Sequence, residues 1–280
     1  MPVHTLTIVG VGLIGGAIGL AAKKRALAKR VRGVGRDAGK LETARRLGAI
    51  DEGTLDLAAA VRDADFVVFC TPVNRIADQI LEAAPYCAPG TILTDAGSTK
   101  REMVGAVESG LPAHVRFVGG HPLAGSEKKG VEFAHADLFV ERWTVLTPTA
   151  KTPADAVDAV RTFWQRLGAR VRIMSPDHHD RALAMTSHLP HLLASALAGI
   201  LPDELRELTA TGFRDATRIA GGDPDVWTPI FQQNRTAVFD VLDQLEARLK
   251  EFRQALANDE VARIDHLLAQ GKRVRDALGS

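Results

Sequence analysis

His121 stands in the run "GGHPLAGSEKKG", between a glycine pair and Pro122. Imidazole is the side chain best suited to move a proton near neutrality, so a glycine-lined histidine is a candidate general base, with a purely structural histidine as the plainer alternative. Ser98, in "DAGSTK", offers a hydroxyl that could orient the ring, cap a helix, or do both. "SHLPH" puts His188 and His191 three apart, on neighbouring parts of one helix face, and Pro190 leaves the carbonyl of Thr186 without its usual donor, so a kink is expected. In "GFRDATRIAGGDPDVW", Arg214, Asp215 and Arg218 recur at helical spacing, Asp223 precedes Pro224 as a cap, and Trp227 follows. That stretch reads either as an exposed helix with salt bridges or as the source of an arginine that clamps a carboxylate. "DHHD" at 177–180 falls in a first helical turn, where acidic residues are ordinary, and no metal site is expected.

A second group points to a dinucleotide. Gly10, Gly12 and Gly15 form G-x-G-x-x-G between a β-branched run, "TLTIV", and a helical pattern, with Leu13 and Ile14 inside the turn. The first glycine permits the tight turn, the second lets backbone approach a pyrophosphate, and the third lets helix and strand pack closely. Thr71, Pro72 and Val73 follow a later apolar strand and are expected to line the same cofactor, as is Ser98. A nicotinamide is expected rather than a flavin. About twenty residues past the turn, where an NAD-binding chain places a ribose-binding carboxylate, stand Gly35, Arg36 and Asp37. Glycine removes the repulsion toward a 2′-phosphate and Arg36 can bind one, so NADP is the inference; the alternative is that Asp37 holds the ribose and the cofactor is NAD.

These residues need a scaffold. Strand and helix patterns alternate from residue 5 to about 174, which predicts a doubly wound, parallel Rossmann-type sheet with helices on both faces. After Ser175 every pattern is helical. The reading is therefore a dinucleotide-binding domain, 1–174, and an all-α substrate and dimerisation domain, 175–280. "VFDVLDQLEARLKEF" carries an apolar stripe broad enough to want a second subunit, so a homodimer is expected.

Composition narrows the partners. With 280 residues, 46% hydrophobic and 25% charged, the chain can bury a sizeable core. A net charge of +1 gives no field for a phosphate backbone, so nucleic acid is not an expected partner. Cys70 and Cys87 sit in no Cys-x-x-Cys or Cys/His cluster and read as small buried residues in a reducing compartment. No basic residue precedes the apolar N-terminal run and no run reaches membrane-spanning length; a cytoplasmic protein without membrane partners is expected.

Together, "GVGLIGG", "DAGSTK", "GGHPLAGSEKKG", "SHLPH" and "DATRIAGGDPDVW" resemble, in order and over nearly the whole chain, the prephenate dehydrogenase family, which includes the arogenate and cyclohexadienyl dehydrogenases of tyrosine biosynthesis. The resemblance implies oxidative decarboxylation: hydride leaves ring C4 for the nicotinamide, the C4 oxygen ends as a phenol, and the ring carboxylate departs as carbon dioxide. By motif position it implies that His121 is the catalytic histidine bonded to the C4 hydroxyl and that Ser98 positions it and touches nicotinamide. It further implies that His191 and Arg218 bind substrate, that Glu127 and Trp227 stand near the pocket with His188, that Asp215 supports its helix, that an interlocked helical dimer forms, and that the chain is a monofunctional core. Gly35 departs from the Asp of many NAD-using members, in keeping with NADP. A β-hydroxyacid dehydrogenase of the same fold would want a catalytic lysine in the helical part, and "SHLPHLLASAL" has none; a non-catalytic NADP sensor would need no base at 121.

Overall fold

The structure, a computed structural model, describes residues 3–125 and 128–279. Strands β1 (Val3–Val9), β2 (Ala28–Val34), β3 (Glu52–Thr54), β4 (Phe66–Phe69), β5 (Ile92–Asp95), β6 (Arg116–Pro122), β7 (Trp143–Thr147) and β8 (Arg170–Ile173) make one sheet, ordered β3-β2-β1-β4-β5-β6-β7-β8. Helices α1 (Leu13–Lys24), α2 (Ala38–Arg46), α3 (Leu57–Val61), α4 (Val73–Ala83), α5 (Arg101–Gly110) and α6 (Ala154–Arg166) are interspersed with these strands. After β8 come α7 (Pro176–Leu183), α8 (Leu189–Gly199), α9 (Thr211–Thr217), α10 (Pro224–Gln233), α11 (Arg235–Ala257) and α12 (Val261–Ala277). The expected class, a Rossmann-type sheet followed by helices, is what the chain forms.

The pleat sorts the strand residues. Leu6, Ile8, Phe66 and Val68 join one buried cluster with Ile18 of α1 and Trp164 of α6. Val9, Val67 and Phe69, one step out of phase, join a second with Ile76 and Ile80 of α4 and Val107 of α5. Alternating side chains that are apolar on both sides leave a strand stable only between two helical layers. Each such Leu, Ile or Phe contributes about 1.5–3 kcal/mol on burial.

Two features depart from the reading. Strand β7 runs antiparallel to β6, with His121 opposite Val145, because the connection 123–142 holds no α-helix among the described residues and a parallel return requires a crossover. β3, a three-residue edge strand, carries no apolar alternation to read. It is held through its pairing to β2 and the Arg32–Glu52 ion pair at 2.7 Å.

Packing divides the chain into two compact units, Met1–Asn234 and Arg235–Ser280. In the second, α11 and α12 pack on each other, burying Ala255 and Leu267 while Phe239, Leu249, Leu256, Val261 and Leu268 remain exposed. Among the described residues no helix is long and apolar enough to cross a membrane.

Candidate active site

Strand order reverses between β1 and β4, and ligands of doubly wound sheets collect beyond the carboxyl ends of strands at such a point. There the backbone of Gly10 has φ +93°, and a Cβ would come within 2.9 Å of the Cys70 carbonyl. A Cβ on Gly15 would strike the carbonyl of Gly10. On Gly12 it would meet nothing within 4 Å: the second glycine faces open cleft. No side chain caps α1 at Gly12, so its first-turn N–H groups are left to an anion. This cradle fits the pyrophosphate of a dinucleotide.

The cleft, about 350 Å³, is lined by Gly12, Leu13 and Ile14, by Cys70, Thr71, Pro72 and Val73, and by Ala96, Gly97 and Ser98. Its far wall is Gly222, Asp223, Val226, Trp227 and Ile230, and the Lys129–Asp223 ion pair lies at this wall. The two expected loops and Trp227 are therefore brought together. Thr71 hydrogen-bonds Gln79 at 2.5 Å, which fixes its loop to α4. Burial raises the Cys70 thiol far above its ordinary range and Cys87 to about 11, so both stay protonated and unreactive.

Gly35 is the first residue after β2, and Arg36 and Asp37 are exposed beside it. Asp37 is the N-cap of α2, its Oδ1 accepting the N–H groups of Gly39 at 2.8 Å and Lys40 at 3.2 Å.

His121 lies near the carboxyl end of β6. Its Nδ1 is 2.9 Å from Nε2 of His179, whose Nδ1 is 2.7 Å from Oδ1 of Asp180. That carboxylate also accepts the N–H groups of Lys100 and Arg101, each at 2.8 Å, and so caps α5 from a different helix. Ser98, expected to orient the ring or to cap this helix, does neither: His179 occupies the ring nitrogen, Asp180 is the cap, and the Ser98 hydroxyl makes no hydrogen bond among the described residues while facing the cleft. Burial first, then the neighbouring His179, Lys100 and His188, hold the pKa of His121 well below 6.5. No described group bonds its Nε2, so a neutral acceptor is available there.

His179 and Asp180, which within "DHHD" read as ordinary residues of a first helical turn, are both buried. The signal is their position: Leu183 and Ala184, four residues on, are buried too, so the pair falls on the inward face of α7.

The expected kink is a π-helical turn, Ala184–His188, where Pro190 supplies no N–H. It turns His188 and His191 inward. His191 stacks on Trp227, rings 3.6 Å apart and 8° from parallel, with Nδ1 buried and unpartnered; His188 meets the same indole edge-on. Asn234 donates to the Asp180 carbonyl at 2.7 Å and bonds His188 Nδ1 at 3.0 Å. Arg218, by contrast, is exposed between α9 and a 3-10 turn, has no ion-pair partner among the described residues and does not line the cleft; Asp215 is exposed on α9. Glu127 lies outside the described residues. Among those described, no three His, Cys, Asp or Glu are grouped to hold a metal.

Burial keeps His188 neutral in the folded protein down to about pH 4, whereas the unfolded chain protonates near 6.5. Unfolding therefore takes up a proton throughout that window, and stability, full above pH 6.5, falls as the pH drops toward 4, by at most about 3 kcal/mol from this group. Urea melts at pH 7 and pH 5 should show a steeper loss for the parent than for His188→Gln, which cannot titrate; equal losses would refute it.

Comparison with known proteins agrees with the geometry. Residues 18–173 match the nucleotide-binding domain of prephenate dehydrogenase and residues 175–270 its dimerization domain. A cyclohexadienyl dehydrogenase of Zymomonas mobilis is 36% identical over 97% of this chain and 94% of its own. A prephenate dehydrogenase of Bacillus subtilis is 33% identical over 98% and 76%. The crystal structure of prephenate dehydrogenase from A. aeolicus, in complex with hydroxyphenyl propionate and NAD+, superposes with a TM-score of 0.93 at 31% identity, covering 99% of both chains. With its glycine cradle, its buried histidines and these relatives, the chain belongs to the prephenate dehydrogenase family of NAD(P)-dependent oxidoreductases.

Proposed function

We propose that the protein oxidatively decarboxylates prephenate or arogenate, giving 4-hydroxyphenylpyruvate or tyrosine, with His121 as general base. The observation that carries this reading is the imidazole itself, held through Nδ1, kept neutral by burial, with Nε2 unclaimed at the end of β6, the strand next to β5, after which Ala96, Gly97 and Ser98 line the cleft. When bound, the nicotinamide supplies the hydride acceptor. The backbone of Gly12, Leu13 and Ile14 would hold the pyrophosphate, and the Thr71–Val73 loop and Ser98, which line the same cleft, would flank the nicotinamide end. His121 takes the C4 hydroxyl proton on Nε2 as hydride leaves C4; loss of the ring carboxylate as carbon dioxide then aromatises the ring to a phenolate, which takes that proton back from Nε2 and leaves the imidazole neutral again. His191, with Trp227 stacked on it, and His188 form the substrate wall, and Ser98, facing the cleft, touches the substrate hydroxyl. By motif position alone, Arg218 is assigned a carboxylate of the substrate and Glu127 a part in substrate binding. The relatives' names and the dimerization-domain match support this division of labour, 1–174 for the nucleotide and 175–280 for substrate and a homodimer. The exposed stripe of Phe239, Leu249 and Leu256 supports the dimer. Assay of both substrates against NAD and NADP tests the reading, and absence of turnover in all four combinations would end it.

NADP is the preferred cofactor in this proposal. No carboxylate follows β2 directly, Arg36 is exposed, and Asp37 is engaged in capping α2. Gly35→Asp requires the Leu41 side chain to give by a few tenths of an ångström, since a Cβ would stand 3.2 Å from it. It should shift the ratio of kcat/KM toward NAD by about 10- to 100-fold, the worth of one or two hydrogen bonds to a charged group. An unchanged ratio would remove the assignment.

A further inference from the structure

We propose that His179 and Asp180 are positioning residues that fix which nitrogen of His121 is bare, an inference that rests on His121 being the base. The hydrogens can be placed one bond at a time. Backbone N–H groups only donate, so Oδ1 and Oδ2 of Asp180, receiving Lys100 and Arg101 at 2.8 Å, are acceptors. The ring nitrogen 2.7 Å from Oδ1 must then carry a hydrogen: His179 is protonated on Nδ1. Burial disfavours its charged form, so its Nε2 bears a lone pair. Nδ1 of His121, 2.9 Å from that lone pair, must in turn donate. His121 is neutral and its one hydrogen is thereby spent on Nδ1, which leaves Nε2 as an acceptor.

Imidazole left to itself in water favours the opposite tautomer, with the hydrogen on Nε2. In that form Nε2 could donate to a substrate hydroxyl but could not accept its proton. The relay reverses the preference and selects the base form before substrate arrives. It also spans elements that no local motif connects: β6 holds His121, α7 holds the pair, and the first turn of α5 anchors the carboxylate. Asn234 fastens the backbone of the same aspartate through its carbonyl.

The test uses the full chain. His179→Leu should lower kcat by about 10- to 100-fold, the usual cost of removing an outer orienting partner, with KM for substrate and cofactor changed less than about twofold. His179→Gln, whose side-chain carbonyl can accept from His121 Nδ1, should recover most of that loss; a merely structural role predicts no such rescue. Ring ¹⁵N spectra, with the His121 signals identified by their absence in His121→Asn, should show a bare Nε2 in the parent and hydrogen on Nε2 in His179→Leu. If the leucine variant does not fold, the parent spectrum and the glutamine variant still decide. A parent His121 protonated on Nε2, or a folded leucine variant with unchanged kcat and tautomer, would overturn the relay. Full turnover in His121→Asn would instead remove the base assignment, so the two failures are distinguishable.

Discussion

His121→Asn lowers kcat by about 10²- to 10⁴-fold, the usual contribution of a positioned general base, while cofactor affinity stays within about twofold. Asparagine is the informative replacement because its amide nitrogen can stand near the ring Nδ1 and keep the donation to His179, so the surrounding network survives and only the proton acceptor is lost. The parent enzyme carries a second signature. A base works only when neutral, and this one has its pKa held well below 6.5, first by burial and then by the neighbouring His179, Lys100 and His188. The kcat of the parent therefore stays level from slightly alkaline pH down through 6.5 and falls only below it. In the asparagine variant the residual rate loses that acid limb altogether. Steady-state rates across pH, with fluorescence titration of the reduced cofactor, measure both; full turnover in the variant, or an acid limb centred above 6.5 in the parent, would dismiss His121 as the base.

What the sequence conveyed and what it withheld follow from how local each constraint is. The glycine turn was legible because its requirements lie within six residues: a positive φ at Gly10, a close approach at Gly15, an open face at Gly12. His121 was legible for a similar reason, as a titratable group in a glycine-rich strand end. His179 and Asp180 were hidden by their neighbours, because Ser175 and Pro176 announce a helix start and make an acidic first turn look like ordinary capping. Only the inward placement of Leu183 and Ala184 shows that the pair faces the core. Both local roles given to Ser98 are taken by residues distant in the sequence: the group that caps α5 comes from eighty residues downstream of Lys100, and the partner of His121 Nδ1 from fifty-eight downstream of His121. The antiparallel β7 was signalled only by something missing, the helical periodicity between 123 and 142. β3 had no signal at all, since three polar residues at an edge are ordered by their neighbour, Arg32, rather than by their own pattern. Arg218 makes the opposite point: its helix was legible, but within one chain the residue stands at the surface.

Lys100→Met is expected to cost about 3–5 kcal/mol of folding stability, more than any other single exchange considered for this protein. Lys100 and Asp95 are both fully buried and form an ion pair; Asp95 also accepts the N–H groups of Gly97 at 2.8 Å and Gly120 at 2.9 Å. Removing the ammonium leaves a carboxylate without water and without its cation. Adding Asp95→Asn should return much of the loss, because the amide keeps an acceptor for one of those backbone groups and no charge remains buried. A buried pair of this kind is weak evidence of net stabilisation, and its position suggests what else it does. Asp95 grips the residue before His121, and the backbone of Lys100 is gripped by Asp180, so the pair closes the frame in which the base is held. Its charge also helps to keep His121 neutral, and once it is gone the His121 pKa rises and the acid limb of kcat moves to higher pH. Urea denaturation of the two variants with their pH–rate profiles measures both effects. A loss below about 1 kcal/mol, or a limb that moves to lower pH, would show that Lys100 is neither a structural counter-ion nor a source of the field on His121.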